Sequence, residues 1–115
     1  MSSQLGQIRV ALAQINPKVG DLEANANLVR EYASKTTAAG AQIVLFPEMV
    51  LTGYPVEDLA LRKTFRNASI NAVKKLASDI ASDGNGELLA AIGYLDESSN
   101  GKPQNAVAFI YNGTV

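Results

Sequence analysis

Glu48 is the residue of this 115-residue sequence whose setting most indicates chemistry. It follows the apolar run Ile43–Phe46 and Pro47, and a second apolar run, Met49–Leu51, comes directly after it. A short apolar run that stops at a proline and an acid is typical of a buried strand whose end carries a reactive group. Between apolar neighbours a carboxylate loses hydration, which favours its protonated form. The pattern therefore indicates a general base that exchanges protons near neutral pH.

Glu48 also has a simpler interpretation. An acid that follows a proline at a strand end is often a helix N-cap or a solvated loop residue. Local chemistry alone slightly favours this second interpretation, so the choice between the two depends on the surrounding sequence.

Other common kinds of site have weaker support. The sequence has neither histidine nor cysteine, so it lacks a histidine base for a serine nucleophile, a thiolate and the usual zinc ligands. The acidic pairs Glu57-Asp58 and Asp96-Glu97 lie on polar segments, where solvated or capping carboxylates are the rule. The glycines of Asp83–Gly86 follow a predicted helix and precede a predicted strand, the reverse of the order in phosphate-binding loops.

The net charge and the hydropathy of the sequence limit the partners and the cellular compartment that we expect. The net charge of −1 gives no basic surface for nucleic acid. No apolar run approaches the roughly 20 residues that span a bilayer. Residues 1–4 lack the charged and apolar regions of a secretory signal. We therefore predict a cytoplasmic protein without a nucleic-acid or membrane partner.

The elements that position Glu48 follow from the hydrophobic periodicity. Residues 8–15 read as a strand covered on both faces. Asp21 is a suitable N-cap for a helix that Gly40 ends as the C′ residue. The apolar stripe of this helix consists of Leu22, Ala26, Val29 and Ala33. With the strand at residues 43–46, these segments predict a βαβ unit with parallel strands.

The second half of the sequence predicts a helix and a hairpin. Apolar residues recur at helical spacing from Phe65 to Ile80, and Arg66 is assigned to the polar side of that helix. The apolar runs at residues 88–95 and 105–111 are joined by a short polar segment, which favours an antiparallel hairpin. The fold class is therefore α/β. Residues 112–115 read as a turn and the start of another strand, so we expect the chain to be cut from a larger domain, with an uncovered apolar face.

Three segments resemble one family. The longest, FPEMVLTGYPVEDLALR, is similar to the first active-site segment of the nitrilase, or carbon–nitrogen hydrolase, superfamily. Within that superfamily it most resembles the N-terminal amidase domain of the glutamine-dependent NAD synthetase family. ALAQINPKVGDLEANANLV resembles the opening strand, turn and helix of that domain, and QNAVAFIYNG resembles the strand before its catalytic lysine.

The resemblance implies a fold and a mechanism. Residues 1–115 would form the N-terminal part of a four-layer α-β-β-α nitrilase-like sandwich. In the superfamily a cysteine thiolate attacks an amide, a glutamate relays protons and a lysine stabilises the oxyanion. Glu48 matches the glutamate. Tyr54, which otherwise simply packs against its turn, lies in the segment that borders the family's amide-binding pocket, so it is a candidate substrate-binding residue.

The resemblance also implies groups outside these residues. The sequence has no cysteine, and its lysines, at positions 18, 35, 63, 74, 75 and 102, all precede the place of the family's catalytic lysine. The 115 residues alone are therefore expected to be inactive. The parent would hydrolyse glutamine and pass ammonia to a C-terminal synthetase domain, which uses ATP and Mg²⁺ to amidate deamido-NAD. It would be a homo-oligomer.

Three alternatives remain open. The chain could belong to a stand-alone amidase or nitrilase that acts on another small amide or nitrile. It could be a non-catalytic interaction module that keeps only the fold. A flavodoxin-like nucleotide-binding domain ranks last.

Overall fold

The computed structural model describes residues 6–115, which form one four-stranded sheet with two long helices packed on it. The strands are β1 (Val10–Leu12), β2 (Ile43–Leu45), β3 (Leu89–Glu97) and β4 (Pro103–Ile110), and the helices are α1 (Leu22–Ala38) and α2 (Lys63–Ile80). The first three strands are parallel and β4 is antiparallel to β3. The predicted α/β class, the parallel βαβ unit and the hairpin are confirmed.

Residues 1–4, on which the prediction of no secretory signal rests, lie outside the described residues. Along residues 6–115, no helix has the length and hydropathy that crossing a membrane requires.

Helix α1 begins and ends where the sequence predicts. The Asp21 carboxylate accepts a hydrogen bond from the backbone N–H of Ala24 at 3.0 Å, which satisfies one of the free donors of the first turn. Gly40 follows the helix with φ of 85°, a left-handed conformation that glycine adopts without strain. These local signals suffice because they depend on neighbours in the chain only.

The hydrophobic core lies between the helices and one face of the sheet. Its buried helix residues include Val29, Ala33, Val73, Leu76 and Ile80, and its strand residues include Val44, Ala90, Ile92, Ala108 and Ile110. The strand residues alternate along each strand, as expected when only one face of a sheet packs on helices. Both helices therefore cover the same side.

The prediction that β1 is covered on both faces is wrong. Leu12 is 69% exposed, and Val10, Leu45 and Val107 are exposed on the same side. Phe109 of β4 is 59% exposed there too. Because α1 and α2 pack on the other side, these side chains form a largely uncovered apolar face along residues 6–115. The predicted uncovered apolar face is therefore present.

Arg66 is not on the polar side of α2. The residue is 7% exposed, and its Nε donates to Glu97 Oε1 at 2.9 Å. Its two terminal nitrogens donate to the carbonyl oxygens of Ala60 and Gly101 at 3.0 and 3.1 Å. Helical periodicity could not predict this burial, because the carboxylate and one carbonyl come from the β3–β4 hairpin. A buried guanidinium is tolerated when its donors are paired in this way.

Asn25 of α1 connects the helix to the chain beyond β2. The Asn25 side chain is buried; its Nδ2 donates to the carbonyl oxygens of Lys18 and Leu51 at 2.8 and 3.0 Å. Its Oδ1 accepts from the backbone N–H of Lys18 at 2.7 Å. One side chain thus satisfies three backbone groups that secondary structure leaves free.

We expect Asn25→Ala to lower the free energy of unfolding by about 1 to 3 kcal/mol, because it removes the buried hydrogen bond to the carbonyl oxygen of Leu51 and two bonds to the backbone of Lys18. Asn27→Ala is the matched control: Asn27 is an exposed residue of the same helix, and its loss should cost less than about 0.5 kcal/mol. Urea denaturation measures both values. Equal effects of the two substitutions would contradict the assigned role of Asn25.

Candidate active site

A turn at the end of β2 carries Glu48 out of the plane of the sheet. The backbone N–H of Phe46 still donates to Ala91 O at 3.2 Å, as a continuation of β2. The chain then folds into a turn in which Val50 N donates to Pro47 O at 3.1 Å. It rejoins β3 where Leu51 N donates to Gly93 O at 3.1 Å. Glu48 therefore lies in a loop whose two ends are both hydrogen-bonded to β3.

The turn rests directly on Gly93. A Cβ atom at this position would lie 2.4 Å from the backbone nitrogen of Met49 and 3.0 Å from the carbonyl oxygen of Pro47. Both atoms belong to the backbone, so neither can rotate away. Gly93 belongs to the side of β3 that faces away from the helices, because its partner Val107 is exposed there. The turn and Glu48 therefore lie on the sheet face opposite the helices.

The Glu48 side chain is exposed and has one hydrogen-bond partner along residues 6–115. Asn105 Nδ2 donates to Glu48 Oε2 at 2.6 Å. Asn105 is on β4, on the same face as Val107 and Phe109, and it pairs with Leu95, so the contact with Glu48 reaches across β3. This is the only contact between side chains that ties the turn to the hairpin among the described hydrogen bonds and ion pairs.

The predicted desolvation of Glu48 by its sequence neighbours is wrong for residues 6–115. Phe46 packs against the core on the helix side, and Met49 is buried with Val56 and Leu95 in a smaller cluster. Phe46 and Met49 thus join two separate apolar clusters, and Glu48 between them is exposed. Apolar neighbours in the sequence bury a residue only when the backbone brings them to the same side.

Tyr54 lies in the next turn and is 69% exposed. The turn is held by Gly53, whose φ is 76° and whose missing Cβ would lie 2.6 Å from Val19 Cα. No hydrogen bond joins Tyr54 to Glu48 in the part of the chain that the structure describes. The role of Tyr54 in substrate binding therefore stays a prediction.

The resolved pKa shifts lie away from Glu48. Burial raises the pKa of Tyr94 to about 12, and a 2.8 Å hydrogen bond from its hydroxyl to Asp96 acts in the same direction. Tyr94 packs against the core on the helix side of the sheet. The Arg30 guanidinium donates two hydrogen bonds to Asp83 and lowers the pKa of that carboxyl. These groups have structural partners and take no part in the site around Glu48.

Metal ligation has no support among residues 6–115, where no cluster of three carboxylates forms a candidate metal site. None of the lysines forms an ion pair with Glu48 in this range; Lys35, Lys63 and Lys75 pair with Glu31, Glu97 and Asp79. Among the described contacts, the Glu48 carboxylate is therefore held by a neutral amide.

The contacts of Gly93 and Asn105 were not predicted from the sequence. A glycine inside the apolar run 88–95 is a signal of close backbone approach to a strand, and it could have indicated Gly93. Asn105 is the polar residue at the start of an alternating apolar strand, but its partner is distant in sequence.

The chain matches a known family along most of its length. The carbon-nitrogen hydrolase family profile matches residues 9–114. This range includes Gly93, Asn105 and the turn that carries Glu48. The chain belongs to the carbon–nitrogen hydrolase family. This family membership and the predicted nitrilase-like fold are confirmed.

Within the family the similar proteins include glutamine-dependent NAD(+) synthetases. The enzyme of Rhodobacter capsulatus is 39% identical over 95 residues, which are 82% of this chain and 17% of the relative. The crystal structure of the enzyme from Cytophaga hutchinsonii has a TM-score of 0.83 and 25% identity over 94% of this chain and 18% of that one. The chain thus spans less than a fifth of either protein's length.

An amidase from Nesterenkonia sp. shares the fold. The TM-score is 0.65 and the identity 22%, over 94% of this chain and 40% of the amidase. At this identity the similarity concerns the architecture alone.

We expect Gly93→Ala to displace the Pro47–Met49 turn, because the added methyl group meets backbone atoms that cannot yield. The free energy of unfolding should fall by about 1 to 3 kcal/mol, as for overpacked positions. Gly86→Ala is the control: its φ is −64° and its new Cβ would lie an ordinary 3.5 Å from Ala81 Cβ. Thermal denaturation compares the two variants. A Gly93→Ala variant as stable as Gly86→Ala would contradict the constraint assigned to Gly93.

Proposed function

We propose that these residues are part of the glutamine-hydrolysing amidase domain of a glutamine-dependent NAD synthetase. In this role the parent protein converts glutamine to glutamate and ammonia, and the ammonia amidates deamido-NAD in an ATP-dependent synthetase domain. The similarity to NAD synthetases along most of the chain is the observation that carries the proposal. The family match to residues 9–114 supports amide hydrolysis as the class of reaction.

Glu48 is the general base in this proposal. The turn over Gly93 projects its carboxylate from the end of a strand, and such strand ends commonly carry the reactive groups of α/β proteins. The carboxylate accepts a hydrogen bond only at Oε2 among residues 6–115, from Asn105. Its other oxygen, Oε1, is therefore available to take a proton from a nucleophile and return it to the departing ammonia.

The remaining catalytic groups come from other parts of the protein in this proposal. Residues 1–115 contain no cysteine, so the nucleophile that forms the thioester lies elsewhere. The lysine that stabilises the oxyanion lies elsewhere too. Residues 1–115 alone are then inactive. ATP and Mg²⁺ act in the synthetase domain and have no site assigned to residues of this chain.

The uncovered apolar face supports the proposal that the rest of an amidase domain packs on this side of the sheet. Two packed sheets bury facing apolar surfaces, and exposed side chains such as Leu12 and Phe109 form such a surface here. We assign residues 1–115 to the first half of the α-β-β-α sandwich, with a second sheet on this face. That sheet would also enclose Glu48 and exclude water from it, which strengthens its electrostatic interactions.

Two further features belong to the proposal. Tyr54 contacts the glutamine substrate from the turn after Glu48, where its ring is exposed and free to do so. The parent is a cytoplasmic homo-oligomer that binds neither nucleic acid nor membrane.

We expect Glu48→Ala in the complete protein to lower glutamine-dependent NAD synthesis by at least about 100-fold, because general-base catalysis contributes about that much. Synthesis from free ammonia should stay nearly unchanged, because ammonia enters after the amidase step. Glu48→Gln should give the same result, since it keeps the shape of the side chain and removes the proton relay. Parallel steady-state assays with glutamine and with ammonium chloride measure both activities.

Glu57→Gln is the control for these variants. Glu57 is an exposed acid of the same segment, and its replacement should leave both activities within about two-fold of the unmodified protein. Equal loss of the two activities in Glu48→Gln would overturn the role of Glu48. A complete protein that hydrolyses small amides but makes no NAD from ammonia would instead be a stand-alone amidase.

A further inference from the structure

The hydrogen bond between Asn105 and Glu48 joins two segments that the sheet itself does not join. Asn105 Nδ2 lies 2.6 Å from Glu48 Oε2. Asn105 belongs to β4, whereas Glu48 follows β2, and β3 separates these two strands. The contact passes above β3 next to Gly93, which has no side chain to obstruct it.

The two ends of this contact differ in how firmly the backbone holds them. Asn105 is fixed in the β3–β4 ladder, where it pairs with Leu95. Glu48 sits in a turn outside the ladder, and an exposed glutamate there has several rotamers of similar energy. A donor on a strand can select one of these rotamers with greater precision than a donor on a loop.

We propose that Asn105 is a positioning residue for Glu48: its carboxamide fixes Oε2 and thereby directs Oε1 to the reacting amide. This inference rests on the proposed function, because it assigns Asn105 a part in the same reaction. It adds a residue that acts through Glu48 and does not itself touch the substrate.

A neutral amide suits this task better than a charged donor. Lysine or arginine would form an ion pair with the carboxylate and make it a weaker base. The amide supplies one directed donor and no net charge, so it orients Glu48 without forming an ion pair.

The two acids at the end of β3, Asp96 and Glu97, have partners other than Glu48. Glu97, on the same side of β3 as Leu95, pairs with Arg66 at 2.9 Å and with Lys63 at 3.9 Å. Asp96 accepts from Tyr94 and belongs to the helix side. Among the described hydrogen bonds and ion pairs of residues 6–115, the amide of Asn105 is the one side-chain partner of Glu48.

The matched pair Asn105→Asp and Gln104→Glu tests this inference in the complete protein. Each variant replaces a carboxamide of β4 with a carboxylate of the same size, so the change in net charge is identical. Gln104 and Asn105 are adjacent, so their side chains point to opposite faces of the sheet. Only Asn105→Asp places the new charge against Glu48.

For Asn105→Asp, we expect the acid limb of the pH profile of kcat/KM for glutamine to move up by at least about one pH unit. Two adjacent carboxylates cannot both ionise easily, so Glu48 keeps its proton to higher pH. Gln104→Glu should leave the limb within about 0.3 pH units of the unmodified protein. The ammonia-dependent activity of each preparation should be unchanged, which shows that the synthetase part is intact.

Asn105→Ala gives a second readout that does not depend on a new charge. Loss of the orienting donor should lower kcat for glutamine by about 10-fold or more and leave KM within about two-fold, since substrate binding does not involve Asn105. This variant also decides the question if Asn105→Asp fails to fold. A change in KM alone, or full glutamine-dependent activity, would overturn the inference.

The two proposals fail in different ways. If Glu48→Gln keeps full glutamine-dependent activity, the proposed function of Glu48 is wrong, whatever Asn105 does. If Glu48→Gln is inactive but Asn105→Asp has the pH profile of Gln104→Glu, only the positioning role of Asn105 is wrong. A melting temperature measured for each variant separates loss of stability from loss of orientation.

Discussion

The position of Glu48 depends on a close backbone contact between its turn and β3 at Gly93. The Pro47–Met49 turn lies so close to β3 that even a methyl group at Gly93 would meet the nitrogen of Met49 at 2.4 Å. Because neither strand nor turn can yield there, the height of Glu48 above the sheet is fixed by the main chain. Hydrogen bonds on both sides of the turn, from Phe46 to Ala91 and from Leu51 to Gly93, prevent it from lifting away. Asn105 can donate to Glu48 because the main chain holds the turn at this height above the sheet.

The two faces of the sheet also carry different kinds of residues. The helix-facing side holds a dense core that includes Val44, Ile92 and Ile110, and this core supplies most of the hydrophobic stabilisation. The opposite side carries the turn, Glu48 and a set of exposed apolar side chains. In the proposed function, a second sheet on this opposite side would form the pocket around Glu48 without disturbing the first core.

Local signals in the sequence predicted the helices and strands well. They did not predict the contacts between residues that are distant in the sequence. Asp21 and Gly40 mark the limits of α1 because capping involves only neighbouring residues. Pro47 correctly marks the end of β2, but the direction of the Glu48 side chain depends on Gly93 of β3. Arg66 was assigned to the wrong side of its helix for the same reason, since its carboxylate partner comes from the hairpin. The pairing of Glu48 with Asn105 has no counterpart in local periodicity.

The strand order has a consequence for how the sheet can form. Each strand lies beside the one that precedes it in the chain, from β1 to β4. A polypeptide that emerges gradually from the ribosome can therefore add every new strand to an existing edge, without leaving a gap for a later segment to fill. The nascent chain can complete the sheet beneath the Glu48 turn as soon as β4 has emerged.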